Sequence, residues 1–506
     1  MNRLFRSFKQ IRKQLLQKVN LLDNYNIILW IIIFFGVILR LVQYLFNRSL
    51  WVDEAKPALY IIDSSFLGFL QPCNVDWCSP APIGFLMFEK LLIQIFGSSE
   101  YVLRLFPFLC GVISLFLFYY VAKHYINRKA ALIALFFLAI SPWLIYYSSE
   151  FKQYSSDLAI ALFLYIITIY IKSKDLTTLR VIFFAVIGAV AIWFSHPSVF
   201  ILAGIGMSLT LSYLIKKEWL KIGKLSIICS IWILSFATTY IVSLRRFIPK
   251  LSSKGAWMGG FMPFPPDIKW FSVILSDFLK MPMGLSSFPN IVASTFLIGC
   301  VSIFLKKKEE FFGLISPIFF TLLASLLRKY PISGRLLLYI VPIVLIFVVE
   351  GVEHIRIKTY NYSTIIVIFL ISLLVFSPLI DSSYHLLKPY TKEEIKPVLS
   401  YIRENKKSGD LIYVYYASRV AFKYYSESYG FKDNDYIIGV SSRRNPEKYM
   451  IDLDKILGNK RVWILFSHVF QDEENLFLNY LNSKGKIIDS FEAKEASVYL
   501  YNLSEL

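Results

Sequence analysis

The sequence predicts an α-helical polytopic membrane protein of about eleven transmembrane helices, followed by a small α/β domain. Three observations predict this class. The 506 residues are 56% hydrophobic and 17% aromatic but only 18% charged, whereas soluble chains run at about 45–50% apolar and about 25% charged. Apolar runs near the roughly 20 residues needed to cross a hydrocarbon core recur between residues 27 and 380. After Pro378 the pattern changes to short strands alternating with amphipathic helices.

The elements follow in order. Residues 1–26 form a basic segment, with Arg3, Arg6, Lys9, Arg12, Lys13 and Lys18 ahead of the first apolar run at 27–46. Lys and Arg beside a span favour the cytoplasmic side, so the N-terminus is placed there. That run is too long, and too poorly followed by small residues, to read as a cleaved signal peptide. Further runs lie near 101–121, 130–147, 157–171, 180–195, 198–215, 225–244, 290–305, 311–327, 335–350 and 363–380. The loops 124–129, 172–180, 216–224, 306–310 and 353–358 then fall inside, and each carries basic residues. An odd number of spans puts the C-terminal domain outside the cytoplasm. The stretch 270–290 is apolar but short and is followed by Pro282, Gly284 and Pro289, and reads as interfacial or re-entrant. The chain thus divides into the basic segment 1–26, a transmembrane domain 27–380 with a first external loop at 47–100, and an extracytoplasmic domain 381–506. An integral, multi-pass plasma-membrane location is expected.

The formal charge of +19 raises the question of nucleic acid. Residues 1–380 hold 36 Lys+Arg against 17 Asp+Glu, a difference of +19, and residues 381–506 hold 18 against 18. The whole excess therefore flanks the spans, where it sets topology, and no nucleic-acid partner is expected. Cys110, Cys229 and Cys300 fall in spans and read as small buried hydrophobes. Cys73 and Cys78, in Cys-Asn-Val-Asp-Trp-Cys, can close a short disulfide in an oxidising compartment or stay reduced. The sequons at Asn47, Asn361 and Asn502 are weak signals, Asn361 lying on the predicted cytoplasmic side.

The tail reads as strands at 411–416, 436–440, 462–466, 487–491 and 497–501, separated by helices near 392–406, 418–428, 446–457 and 471–483. Ala417-Ser418-Arg419 follows the first strand where a nucleotide site would need a glycine-rich turn, which argues against nucleotide binding.

Ionisable groups at a bilayer are costly unless paired or functional, so acids at the outer ends of spans are candidates for chemistry. Ser49-Leu50-Trp51-Val52-Asp53-Glu54-Ala55 follows the first span directly. Two adjacent carboxylates point apart, so one can face a reaction centre while the other takes a structural partner. At the outer end of the third run, Glu150, Lys152 and Tyr154 alternate and would share a side in an extended turn. They offer a carboxylate that can take a proton and an ammonium that can stabilise a departing phosphate. Arg245 and Arg246, with Lys250 and Lys254, and Arg335 beside Gly334 are basic residues on the outer side, against the topological tendency. They suit an anionic headgroup or contact with lipid phosphates. His196, in the short turn Ser195-His196-Pro197-Ser198, can donate to a sugar or phosphate or serve only the turn.

Taken together these stretches resemble the GT-C class of polytopic glycosyltransferases, in the branch of protein O-mannosyltransferases, aminoarabinose-to-lipid-A transferases and RgtA/B/C/D-like enzymes. The resemblance covers roughly residues 27–350 and rests on five stretches in order. These are Trp51 to Ala55, Ser79-Pro80-Ala81-Pro82-Ile83, Phe96 to Leu105, Ser141-Pro142 with Tyr147 to Tyr154, and Gly334-Arg335-Leu336-Leu337-Leu338-Tyr339 ahead of Pro342. It implies inverting transfer of a hexose or pentose from a polyprenyl-phosphate donor, on the extracytoplasmic face, to a lipid, glycan or protein acceptor. It also implies Asp53 as the base, Glu150 as its acidic partner, and Arg335 with Lys152 at the lipid phosphate. A divalent cation shared by Asp53 and Glu150, or none, fits the same residues. Two positions depart from the family: Cys78-Ser79 stands where a histidine often precedes the paired prolines, and Lys152 where arginine is common, keeping charge but losing bidentate geometry. A lipid-linked polysaccharide polymerase, or a flippase or transporter, is the alternative. The transporter would predict charges at mid-bilayer depth and internal repeats.

Overall fold

The computed structural model describes residues 2–73, 77–253, 255–358, 363–443 and 445–504. Asn361 and Lys254 lie outside them. The chain forms two compact units. The first comprises residues 1–45, 82–85 and 104–388, and the second residues 46–81, 86–103 and 389–506. Most of the first loop thus groups with the C-terminal domain.

The first unit is helical. Among the described residues nine helices are long and apolar enough to cross a membrane: Asn24–Leu45, Glu100–Tyr125, Tyr154–Lys172, Ser198–Ile215, Trp219–Pro249, Pro289–Lys306, Lys308–Leu326, Gly334–Ile357 and Ile365–Leu387. Thr178–Phe194 is apolar but shorter. The run at 130–147 is two helices, Arg128–Ile140 and Pro142–Tyr147, so two of the eleven expected spans fall short of a full crossing helix. The break has a clear cause. Pro142 has no N–H to give the Leu138 carbonyl four residues back, and Ser141 is extended at φ −61°, ψ 116°. The buried Arg40 guanidinium replaces the missing donors, reaching the Leu138 oxygen at 3.2 Å and the Ala139 oxygen at 3.1 Å. The 270–290 stretch is the amphipathic helix Ile268–Lys280, too short to span.

Gly334–Ile357 is the central span, 94% of its apolar window being buried. It crosses Pro289–Lys306 at backbone contact. A Cβ on Gly299 would stand 1.8 Å from the Phe347 carbonyl oxygen, and one on Gly351 1.9 Å from that of Thr295. Small residues permit such crossings in apolar surroundings. Further along, Glu350 accepts from Ser302 Oγ at 2.7 Å and pairs with Lys306 Nζ at 2.6 Å, which answers its buried charge.

In the second unit, residues 389–506 build a five-stranded sheet of β1 Leu411–Val414, β2 Tyr436–Ile438, β3 Val462–Ser467, β4 Lys486–Ala493 and β5 Ala496–Asn502, in the order β2-β1-β3-β5-β4. β1 runs parallel to β2 and β3, and β5 antiparallel to β3 and β4. Every residue of β3 is buried, as expected for a strand covered on both faces. Tyr413, Tyr415, Ile464, Phe466 and Tyr501 form part of one core with Phe477 and Leu481 of the helix Glu473–Asn482. At the start of β1, Asp410 accepts from Arg461 Nε at 2.8 Å, Trp463 Nε1 at 2.9 Å and the Lys407 backbone. Burial works to raise its carboxyl, and these donors together hold it below the usual range.

Candidate active site

Asp53 lies in the first turn of the helix Val52–Asp63, just after the segment 47–52. Within the second unit, that segment is gripped at nearly every residue by side chains of the C-terminal part. Lys396 Nζ donates to the Asn47 carbonyl at 2.6 Å. Glu394 accepts from the Ser49 backbone at 3.3 Å and its hydroxyl at 2.9 Å. The Tyr425 hydroxyl accepts from Leu50 N at 2.8 Å, and Lys392 lies 4.3 Å from the centre of the Trp51 ring. Glu393 Oε2 accepts from Val52 N at 3.0 Å. The neighbouring acids then divide. Glu54 is fully buried, 3.8 Å from Arg48, itself 1% exposed. Asp53 is only half-buried and lies on another side of the helix turn. A charge buried that deeply needs its counterion, and Glu54 has one in Arg48, while Asp53 is left partly accessible.

Farther along the second unit, Cys73 and Cys78 are joined as a disulfide, with their Cα atoms 6.0 Å apart. Trp77, between them, donates to Asp63 at 3.1 Å and takes Lys423 over its ring at 4.2 Å.

In the first unit, Glu150, Lys152 and Tyr154 occupy the connection between Pro142–Tyr147 and Tyr154–Lys172. The segment is a compact turn and not extended. Ser148 and Ser149 fold back onto the Ile145 and Tyr146 carbonyls, and Lys152 N donates to the Glu150 carbonyl at 2.6 Å. Glu150 is fully buried, Lys152 half-buried, and Tyr154 opens the next helix.

Arg335 approaches this turn from a separate element, the 3-10 segment Gly334–Ile340. Gly334 has φ +36°, which favours glycine, and an added Cβ would press on Met281 Sδ at 3.0 Å. The Arg335 guanidinium lies 5.6 Å from the Tyr154 ring centre and 5.9 Å from that of Trp257. Trp257 is brought there because Ile332 N donates to the Gly260 carbonyl at 2.7 Å, tying segment 257–262 to the loop that carries Arg335, and Met262 N donates to Ser325 Oγ at 2.9 Å, tying it to the preceding helix Lys308–Leu326. Glu150 and Arg335 both act electrostatically on Tyr147, whose ring is 5.4 Å from Tyr154. A carboxylate, a guanidinium and three aromatic rings are thereby gathered in one neighbourhood. Such a cradle suits an anion attached to an apolar chain: the guanidinium can take the charge, and the rings fix its plane.

The other expected residues sit elsewhere. His196 is half-buried in the turn between Thr178–Phe194 and Ser198–Ile215. Arg245 is exposed and Arg246 half-buried at the start of Arg245–Ser253, beyond a π-helical turn at Tyr240–Leu244.

Two features escaped the sequence reading. Asp157, one turn into the Tyr154–Lys172 helix, is a buried acidic side chain near Ser195. The rule that an acid within a span is functional by default would have found it. Glu393 and His468, joined at 2.6 Å, lie 75 residues apart in sequence and left no local signal. Among the described residues no three His, Cys, Asp or Glu side chains converge as metal ligands.

Residues 80–241 match the family described as dolichyl-phosphate-mannose-protein mannosyltransferase. No curated protein matches the chain. Among solved structures, ArnT from Cupriavidus metallidurans in the apo state is similar over 94% of this chain and 98% of its own, at 11% identity and TM-score 0.52. ArnT bound to undecaprenyl phosphate aligns over 95% and 98%, at 10% identity and TM-score 0.51. The archaeal oligosaccharyltransferase AglB from Archaeoglobus fulgidus, in complex with an inhibitory peptide and a dolichol-phosphate, aligns over 94% of this chain and 74% of its own, at 11% identity and TM-score 0.53. Likeness at such low identity concerns the path of the chain.

Proposed function

We propose that this chain, whose fold is that of the GT-C glycosyltransferases, moves a sugar from a polyprenyl-phosphate donor to a lipid, glycan or protein acceptor with inversion at the anomeric carbon. The reaction takes place on the extracytoplasmic face of the plasma membrane, with the N-terminus cytoplasmic and the C-terminal domain outside. The observation that carries this reading is the Arg335 guanidinium framed by Tyr154 and Trp257, in the neighbourhood of Lys152 and Glu150. A lipid phosphate needs one fixed cation among apolar and aromatic side chains at a bilayer.

In the reaction Asp53 takes the proton of the acceptor hydroxyl or amine, or orients it. The acceptor atom bonds to the anomeric carbon from the face opposite the phosphate as the bond to the phosphate oxygen breaks. The bonding pair leaves with that oxygen. Arg335 and Lys152 meet the growing charge, so the polyprenyl phosphate departs without an acid to protonate it. Glu150, buried beside the basic residues, holds the turn and balances their charge, and His196, Arg245 and Arg246 remain candidates for sugar or headgroup contact.

The test is incubation of purified protein with a defined polyprenyl-phosphate sugar and a panel of acceptors. Free polyprenyl phosphate is expected to appear with glycosylated acceptor, and Asp53→Asn to abolish both while leaving the protein folded. Full activity of Asp53→Asn would remove Asp53 from this role. Sugar-lipid crossing vesicles without release would favour a flippase.

A further inference from the structure

The segment that delivers Asp53 ends at a pair the transfer chemistry does not itself require. Glu393 is 5% exposed, with one carboxylate oxygen on the Val52 N–H at 3.0 Å and the other on His468 Nδ1 at 2.6 Å. Val52 is the first residue of the Val52–Asp63 helix, and its N–H is one of the donors that a helix start leaves without an internal acceptor. His468 follows directly on β3, the fully buried strand at the centre of the sheet. Both members of the pair hold backbone conformations that non-glycine residues rarely adopt, Glu393 at φ +46° and His468 at φ +53°. Two strained positions joined by one hydrogen bond are maintained only where the surroundings over-determine them, and such strain clusters at functional sites.

We infer that Glu393 and His468 are positioning residues for Asp53, through which the rigid sheet of the C-terminal domain fixes the start of the helix that carries it. The inference rests on the reading of Asp53 as the group that activates the acceptor. The physical path is short. Strand β3 fixes His468, His468 fixes the Glu393 carboxylate, and that carboxylate caps the helix one residue before Asp53. A negative group there also offsets the positive end of the helix, a task that would otherwise fall on Asp53. Glu394, Lys392, Lys396 and Tyr425 hold residues 47–51 in register, but Glu393 alone among these partners takes a backbone donor of the helix itself. The small C-terminal domain thereby gains a role in the chemistry without touching a reactant.

The experiment uses the full chain in detergent or nanodiscs, with a defined polyprenyl-phosphate sugar and saturating acceptor. Displacing a reacting group by ~1 Å costs on the order of 100-fold, so Glu393→Ala is expected to lower kcat by roughly 10- to 100-fold with the KM for lipid donor unchanged. Glu393→Gln, which keeps an oxygen for Val52 N–H but loses the second carboxylate oxygen that meets His468, should regain part of kcat and remain folded. His468→Ala should lower kcat in the same sense, and the double variant should be no worse than Glu393→Ala, since the two act through one contact. Wild-type kcat in Glu393→Ala, with Asp53→Asn inactive, overturns the inference and leaves the reading of Asp53 standing. Multiplying losses in the double variant also overturn it. Full activity of Asp53→Asn instead defeats the reading on which it rests.

Discussion

Replacing Arg335 by lysine keeps the charge and removes the planar fork. Arg335 is half-buried and faces two rings, at 5.6 and 5.9 Å. An ammonium can still stand over those rings, so most of the cation–π attraction, about 0.5–1 kcal/mol for the partly exposed Trp257 and up to about 2 kcal/mol for the buried Tyr154, survives the change. On the proposed role of Arg335, the second of two parallel hydrogen bonds to the departing phosphate does not survive. A hydrogen bond to a charged group contributes about 1.5–3 kcal/mol, and at about 1.4 kcal/mol per factor of ten that is roughly 10- to 150-fold in kcat/KM. Arg335→Ala loses the charge and the ring contacts as well and should fall further, by on the order of 1000-fold. The assay is the initial rate of polyprenyl phosphate release as donor concentration varies, with thermal unfolding recorded on the same preparations. Unchanged kcat/KM in a folded Arg335→Lys would refute the fork, and unchanged kcat/KM in Arg335→Ala would refute the cradle altogether.

Other perturbations read the scaffold. Gly351→Ala places a Cβ about 1.9 Å from the Thr295 carbonyl oxygen, so the two crossing helices must part. Overpacking costs about 1–3 kcal/mol, and a lower unfolding midpoint is expected, an unchanged one being contrary. Arg40→Met leaves the Leu138 and Ala139 carbonyls without this donor, at about 1–3 kcal/mol per orphaned group, and should lower the midpoint at least as much. Asp410 and Asp452 are held below their ordinary carboxyl range against the opposing effect of burial, Asp410 by Arg461, Lys407 N–H and Trp463, and Asp452 by Lys455, Tyr413 and Val440 N–H. A lowered folded value means stability that is complete above the unfolded value, about pH 4, and lost as pH falls through the folded one. The midpoint should therefore hold between about pH 7 and 5 and decline below about pH 4. In Asp410→Asn the midpoint should start lower at neutral pH and decline less steeply in acid; a wild-type slope would contradict the assignment.

Much of this architecture is legible in the chain because its causes are local. A run of about 20 apolar residues is a span wherever it lies, and the strands of the C-terminal domain announce themselves by short β-branched and aromatic runs between polar turns. The break at Ser141 and Pro142 was harder to see, since hydropathy does not register a missing N–H; the proline marks the position, and the rescue comes from Arg40, about a hundred residues away. The same holds at the site. Asp53, Glu150 and Arg335 stand out by residue type and place relative to the spans. That Glu54 is buried against Arg48, that Trp257 frames Arg335, and that Glu393 and His468 hold the start of the Asp53 helix depend on contacts made only once the chain is folded.

The most direct test of the account is product analysis with purified protein, an anomerically pure polyprenyl-phosphate sugar and a competent acceptor. Direct displacement predicts one free polyprenyl phosphate per sugar transferred, and a product whose anomeric configuration is opposite to that of the donor. Retained configuration, or sugar transferred with the phosphate still attached to it, would contradict direct displacement at the anomeric carbon.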